Sequence, residues 1–278
     1  MTTSKLQKML HQHHYHPWLW RWPELIAVLN RLEYAFFPRN ATVWRFLKHE
    51  MSRLEPADHG PVWLDAGFGY GQFLYRAARQ LPGVRFLVLE NAQTHLQFAA
   101  RYAERTGLNN IQPIYQDLSA APQYAGPLQT IVCVSVMQYV DDPLALLRYW
   151  RSQASPDGRL FLYMPLQHET VVVPYDQNQK RHWLTEEQVV ALLQEAGWQV
   201  IQKTAAVGRW GYAAHLLHHH LARTFLATPF VLRLPLGLFY VAPLLVLFAI
   251  LLLLNGVWKI PPFRGMLFVG RPSMSGLD

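Results

Sequence analysis

The sequence predicts an α/β fold with a mostly parallel seven-stranded sheet and helices on both faces. Three observations carry this. From Val62 onward, short apolar runs alternate with amphipathic helical stretches, the pattern that parallel strands joined by crossover helices produce. A glycine-rich turn, Gly67-Phe-Gly69-Tyr-Gly71, leads from the first strand into the helix after it. The 278 residues suit one large domain or two small ones, and no internal repeat interrupts the series.

The elements follow in order. Pro23–Phe37 is apolar at helical spacing through Leu25, Val28, Leu29, Leu32 and Phe36. Asn40 is placed to N-cap a second helix reaching about Leu54. Val62–Ala66 is the first strand, Gln72–Gln80 a helix, Arg85–Leu89 the second strand, and Ala92–Thr106 a helix ended by Gly107. Ile111–Tyr115 and Thr130–Val134 are strands three and four. Pro143–Gln153 is a helix with proline in its first turn, where the missing N–H costs nothing. Arg159–Met164 is the fifth strand. Thr185 and Gln188 make a capping box for a helix to Ala196, stopped by Gly197. Trp198–Thr204 is the sixth strand and Gly265–Gly270 the last. These elements divide the chain into an N-terminal helical lid or membrane-contact segment (1–57), a ligand-binding domain (58–206), an apolar insertion (207–262) and the last strand with its tail (263–278).

Composition narrows the class. Hydrophobic residues make up 51% and charged residues 15%, against about 25% charged in ordinary soluble domains, which excludes a disordered chain. One cysteine excludes a disulfide scaffold and suits a reducing compartment. The start lacks the basic, apolar and small-residue sequence of a secretory signal. The net charge of +7 is uneven: residues 1–202 carry +1 and residues 203–278 carry +6. Within the basic part, Leu234–Trp258 holds 25 residues without charge.

The chemistry gathers at the strand ends. Glycines after strand one let a ligand approach the backbone, but the spacing departs from the dinucleotide pattern, with Gln72 where a glycine is required. Asp65 would repel a pyrophosphate there and suits an ammonium or sulfonium group. Glu90, ending strand two, suits two vicinal ribose hydroxyls, and Asp117, after strand three, suits an exocyclic adenine amine.

This constellation resembles the class I S-adenosylmethionine-dependent methyltransferases. Asp65, Gly67, Gly69 and Gly71 match their D-x-G-x-G-x-G motif, Glu90 their ribose acid and Asp117 their adenine-side acid. Ser135-Val-Met-Gln-Tyr139-Val-Asp-Asp142-Pro resembles the segment after their fourth strand, and Ser155-Pro-Asp-Gly158 and Glu195-Ala-Gly197-Trp198 the turns before their fifth and sixth. The resemblance implies a Rossmann-like fold, S-adenosylmethionine as cofactor, and a binding set of Asp65, Gly67, Gly69, Gly71, Glu90, Asn91, Asp117, Leu118 and Ser135. Gln138-Tyr139 stands where the quinone O-methylators of this family carry Glu-His, so metal-assisted O-methylation of that type is not implied.

A phenolic acceptor gains from a general base. His168, just beyond strand five, is the best-placed candidate, followed by Tyr139 and His182. His215 to His220 have no Cys, Asp or Glu partner nearby and are read as a basic patch rather than a metal site, and His11 to His16 are read as a solvated tail.

Leu234–Trp258 is long enough by count to span a bilayer, but Pro235, Gly237 and Pro243 interrupt it. If Gly265–Gly270 rejoins the sheet, both ends lie on one side, so the segment dips in and returns or lies in the interface. Basic residues flank it on both sides. The Trp18, Trp20 and Trp22 group with Pro23–Phe37 offers a second contact. The expected protein is a membrane-associated methyltransferase at the cytoplasmic face. Its acceptor would be a small lipophilic molecule (quinone or prenyl lipid, phospholipid or fatty-acid derivative) and its partners would not include nucleic acid. The alternative is a non-catalytic membrane-bound module of the same fold.

Overall fold

The computed structural model describes residues 38–54, 60–69, 71, 73–122, 124, 126–166, 184–214, 217, 242–258 and 265–273. The expected helix Pro23–Phe37, the tryptophans before it, His168, His182, both histidine groups and residues 234–241 lie outside the described residues.

The described chain runs α1 (Pro38–Met51), β1 (Val62–Ala66), α2 (Leu74–Gln80), β2 (Arg85–Glu90), α3 (Gln93–Thr106), β3 (Ile111–Tyr115), β4 (Leu128–Val134), α4 (Pro143–Gln153), β5 (Ala154–Pro165), α5 (Glu186–Glu195), β6 (Trp198–Val207), α6 (Ala242–Val257) and β7 (Gly265–Pro272). The strands form one sheet in the order β3-β2-β1-β4-β5-β7-β6. Only β7 is antiparallel to its neighbours. β1 is buried along its length, as a strand covered by helices on both faces must be. One face packs α1, α2 and α3 through Val43, Leu47, Leu74, Phe98 and Tyr102. The other packs α4 and α5 through Leu147, Trp150, Val189 and Leu193. Trp198 ties this second layer to the sheet edge by donating its indole N–H to the Leu147 carbonyl at 3.0 Å.

Local sequence explains most boundaries. Asp142 caps α4 by accepting from the Ala145 amide at 2.9 Å, with Pro143 in the first turn. Thr185 and Gln188 form the expected capping box at α5. Gly107 ends α3 at φ +66°, a conformation costly for residues with a Cβ. Asn40 corrects the expected cap: α1 starts at Pro38, and Asn40 is fully buried inside its first turn, accepting from Arg39 Nε at 2.8 Å. β5 begins earlier than expected because Ala154 pairs with Leu128, while a register shift loops out the Ser155–Gly158 turn before Arg159 pairs with Thr130.

The insertion between β6 and β7 has a defined geometry. Val207 and Gly265 are register partners, so the chain departs and returns at one point. β6 runs parallel to β1, which places that point at the carboxyl edge of the sheet. Asn255, 1% exposed in an otherwise apolar helix, anchors α6 there. Its Oδ1 accepts from the amides of Gly208 at 2.9 Å and Gly211 at 3.0 Å. Two buried donors depend on this one oxygen. Asn255→Leu is therefore expected to lower the unfolding free energy by about 1–3 kcal/mol, measured as an earlier denaturant midpoint, whereas Asn255→Asp, which keeps the oxygen, loses less.

Candidate functional site

The carboxyl ends of β1, β2, β3 and β4 converge where the strand order reverses between β1 and β4, the place where open α/β sheets bind ligands. A cleft opens there, lined in part by Gly67, Glu90, Asn91, Asp117, Leu118 and Tyr139. All six were expected from the sequence. Asp65, Gly69, Gly71 and Ser135 adjoin this wall rather than form it. A larger cavity lies at the opposite, amino edge beside Gly60, Val62, Gly83 and Arg85, away from these groups.

The glycine turn is built against β2. The Gly67 amide donates to the Leu89 carbonyl at 2.9 Å. Gly67 sits at φ +70°, and a Cβ there would stand 2.5 Å from Val136 Cγ2. Gly69, at φ +58°, has open space where a Cβ would be, and its amide donates to Glu90 Oε2 at 3.0 Å. The other Glu90 oxygen accepts from the amides of Asn91 at 3.0 Å and Ala92 at 3.1 Å. Glu90 is thus pinned at the mouth of the turn by three backbone donors.

Asp65 lies on β1 close to Glu90 and is 6% exposed. Burial, reinforced by the Glu90 charge, raises its carboxyl from 3.8 to about 7. A cationic ligand group beside Asp65 would favour its ionised form. Tyr75 closes the other side: its ring packs where a Gly71 Cβ would stand, and its buried hydroxyl has no partner among the described residues.

Asp117 is exposed, and its carboxylate accepts from the Ser119 amide at 2.9 Å. It therefore shapes its own turn while facing the cleft. Ser135 follows β4 directly at φ +58°, and Tyr139 is 41% exposed. The sequence reading missed His95, whose Nδ1 lies 3.3 Å from Glu90 Oε2, and the lining residues Gln116, Ser119, Val136 and Val140. His95 sits one turn into the helix after the Glu90 strand end, a spacing that was legible. The contact of Val136 with Gly67 spans too much sequence to be read from a motif.

These residues fit S-adenosylmethionine. Asp65 and Glu90 offer buried acceptors, Gly69 leaves room for close approach, and Asp117 and Leu118 line the far end of the cleft. When bound, the cofactor would supply an activated methyl group on a sulfonium, and the glycine turn and the acids would orient it. Ionised Asp65 favours the cation, so binding releases a proton. Affinity for S-adenosylmethionine is expected to rise with pH through about 7 and to level off roughly one unit above it. Calorimetry of Asp65→Asn should show weaker binding without that dependence.

A family model described as a methyltransferase domain matches residues 39–203. The ubiquinone biosynthesis O-methyltransferase of Xanthomonas axonopodis pv. citri (strain 306) is 28% identical over 116 residues, 42% of this chain and 47% of the relative. The chain thus spans about half the length of that relative. The tRNA 5-carboxymethoxyuridine methyltransferase of Escherichia coli (strain K12) is 28% identical over 187 residues, 60% of this chain and 69% of the relative. Among solved structures, coclaurine N-methyltransferase bound to N-methylheliamine and SAH superposes with a TM-score of 0.58 at 15% identity, covering 84% of this chain and 71% of that one. An O-methyltransferase from a trans-AT PKS multienzyme of Brevibacillus brevis, in complex with S-adenosyl-L-homocysteine, gives 0.54 at 16% identity, covering 87% and 79%. At such identities the structures establish the fold. With the matched family and the site geometry, the chain belongs to the methyltransferase-domain family, and residues 39–203 are an S-adenosylmethionine-dependent methyltransferase domain.

Proposed function

We propose that this protein is a membrane-associated methyltransferase. It would act at the cytoplasmic face on a small lipophilic acceptor: a quinone or other prenyl lipid, a phospholipid or a fatty-acid derivative. The observation that carries this is the exposed apolar surface of α6, which emerges from the same sheet edge as the cofactor cleft. Leu253 and Val257 are 70% and 74% exposed, and Val246 and Ile250 extend the same stripe. A contiguous stripe of large apolar side chains in water is costly unless a partner covers it.

A bilayer suits that surface. Moving each half-exposed side chain into hydrocarbon contributes about 1 kcal/mol. Basic residues near an anionic leaflet add about 1 kcal/mol each, and Arg223, Arg233, Lys259 and Arg264 flank the apolar run in the sequence. No helix among the described residues is long and apolar enough to cross a membrane. At 16 residues α6 is about 24 Å long, short of a hydrocarbon core of about 30 Å. The pairing of Val207 with Gly265 supports a segment that enters and leaves on one side. The ubiquinone relatives support a lipophilic acceptor.

A second reading, transfer to tRNA, is favoured by the tRNA methyltransferase relatives and the charge of +7. It gives the exposed stripe of α6 no role.

Flotation with anionic vesicles tests the first reading. The intact chain is expected to float, and Val246→Asp combined with Leu253→Asp and Val257→Asp to remain at the bottom with S-adenosylhomocysteine binding unchanged. An intact chain that does not float would remove the lipid reading.

A further inference from the structure

Ser135 is the one non-glycine residue among the described residues held at positive φ. Such strain persists only where surrounding contacts impose it, and it marks functional sites. Three contacts impose it here. The Ser135 amide donates to the Tyr163 carbonyl at 3.0 Å. Its carbonyl accepts from Gln138 Nε2 at 3.0 Å. Its hydroxyl oxygen accepts from Arg39 Nη1 at 3.3 Å.

The last contact has a chemical consequence. With a lone pair of Oγ taken by a guanidinium, the hydroxyl proton is left to donate elsewhere, and the adjacent cation makes it a stronger donor. Gln138 is 3% exposed, and its Oε1 finds no donor among the described residues. Burial pushes the Tyr163 hydroxyl on β5 up to about 12, with Arg39 pulling the other way, so it too is a neutral donor. Ser135 immediately precedes Val136, which lines the cleft with Tyr139 and Val140 beside Glu90. The group therefore stands at the end of β4, on the border of the cofactor cleft.

We propose that Ser135 and Arg39 form an oxyanion-binding pair for the methyl acceptor, which is bound as an ionised hydroxyl or carboxylate with Gln138 Oε1 taking a neighbouring O–H or N–H. This rests on the methyltransferase reading above and adds the acceptor's chemistry to it. The Ser135 hydroxyl donates to the oxyanion, and Arg39 positions and polarises that hydroxyl while its charge favours the ionised form. The acceptor's proton has already left to solvent. A lone pair on the oxyanion forms the new O–C bond, and the pair of the breaking C–S bond stays on the donor's sulfur as a neutral thioether. No base is needed in the transfer itself.

The test measures binding to the full chain loaded with S-adenosylhomocysteine, confirmed by calorimetry beforehand. The probes are para-nitrophenolate, para-nitrobenzoate and the neutral isostere para-nitroanisole. At least one anion is expected to bind about tenfold or more tighter than para-nitroanisole, and which of the two does so identifies the acceptor as hydroxyl or carboxylate. Arg39→Gln should abolish the preference and Arg39→Lys restore most of it. Ser135→Gly, which suits positive φ and so keeps the fold, should also weaken the anion. Neither anion preferred over para-nitroanisole, or a preference that survives Arg39→Gln, would overturn the proposal. A chain that fails to take up S-adenosylhomocysteine at all overturns the underlying methyltransferase reading instead.

Discussion

The site depends on two carboxylates held side by side at the ends of neighbouring strands. Asp65 on β1 and Glu90 on β2 are both buried, and the Glu90 charge adds to the cost of ionising Asp65. Three backbone amides hold the Glu90 carboxylate, one of them from the glycine turn itself. At Asp65, burial, reinforced by the Glu90 charge, raises the carboxyl to about 7. Rearranging the turn would unpin Glu90, and filling it would drive a side chain into Val136 at the end of β4. The glycine spacing, the sheet register and the preference for a cationic ligand are thus one constraint seen from three sides.

Much of this was legible in the sequence, because its signals are local. The strand cores, the Pro143 helix start, the Thr185 cap and the Gly107 stop each follow from residues within one turn of each other, and all appear at the expected positions. Asp65, Glu90 and Asp117 were legible because each lies at or just past the carboxyl end of a strand whose pattern was clear. Asn40 misled because an asparagine before an apolar run reads as a cap, whereas Pro38 starts the helix and Asn40 is swallowed by the core. Arg39 and Ser135 were not legible as a pair. They are 96 residues apart, and only the packing of α1 over the carboxyl edge brings them together.

The apolar insertion acquires meaning from topology rather than composition. A run of 25 uncharged residues has several fates. Pairing of Val207 with Gly265 leaves those in which the chain returns to the edge it left. Asn255 then fixes the end of α6 to the turn after β6, so α6 is anchored at the same carboxyl edge of the sheet that carries the cleft. An acceptor dissolved in a bilayer and a cofactor drawn from water would meet at that edge. An oxyanion-binding pair at the end of β4 would give a lipophilic acceptor its polar reacting group.

The most direct test of this account supplies the purified chain with methyl-labelled S-adenosylmethionine and, in separate reactions, a total membrane lipid extract and total tRNA. Label is expected in an organic-soluble methyl ether or methyl ester formed from an acidic hydroxyl or carboxyl group, and none in tRNA. Label in tRNA with none in the lipid phase would contradict it.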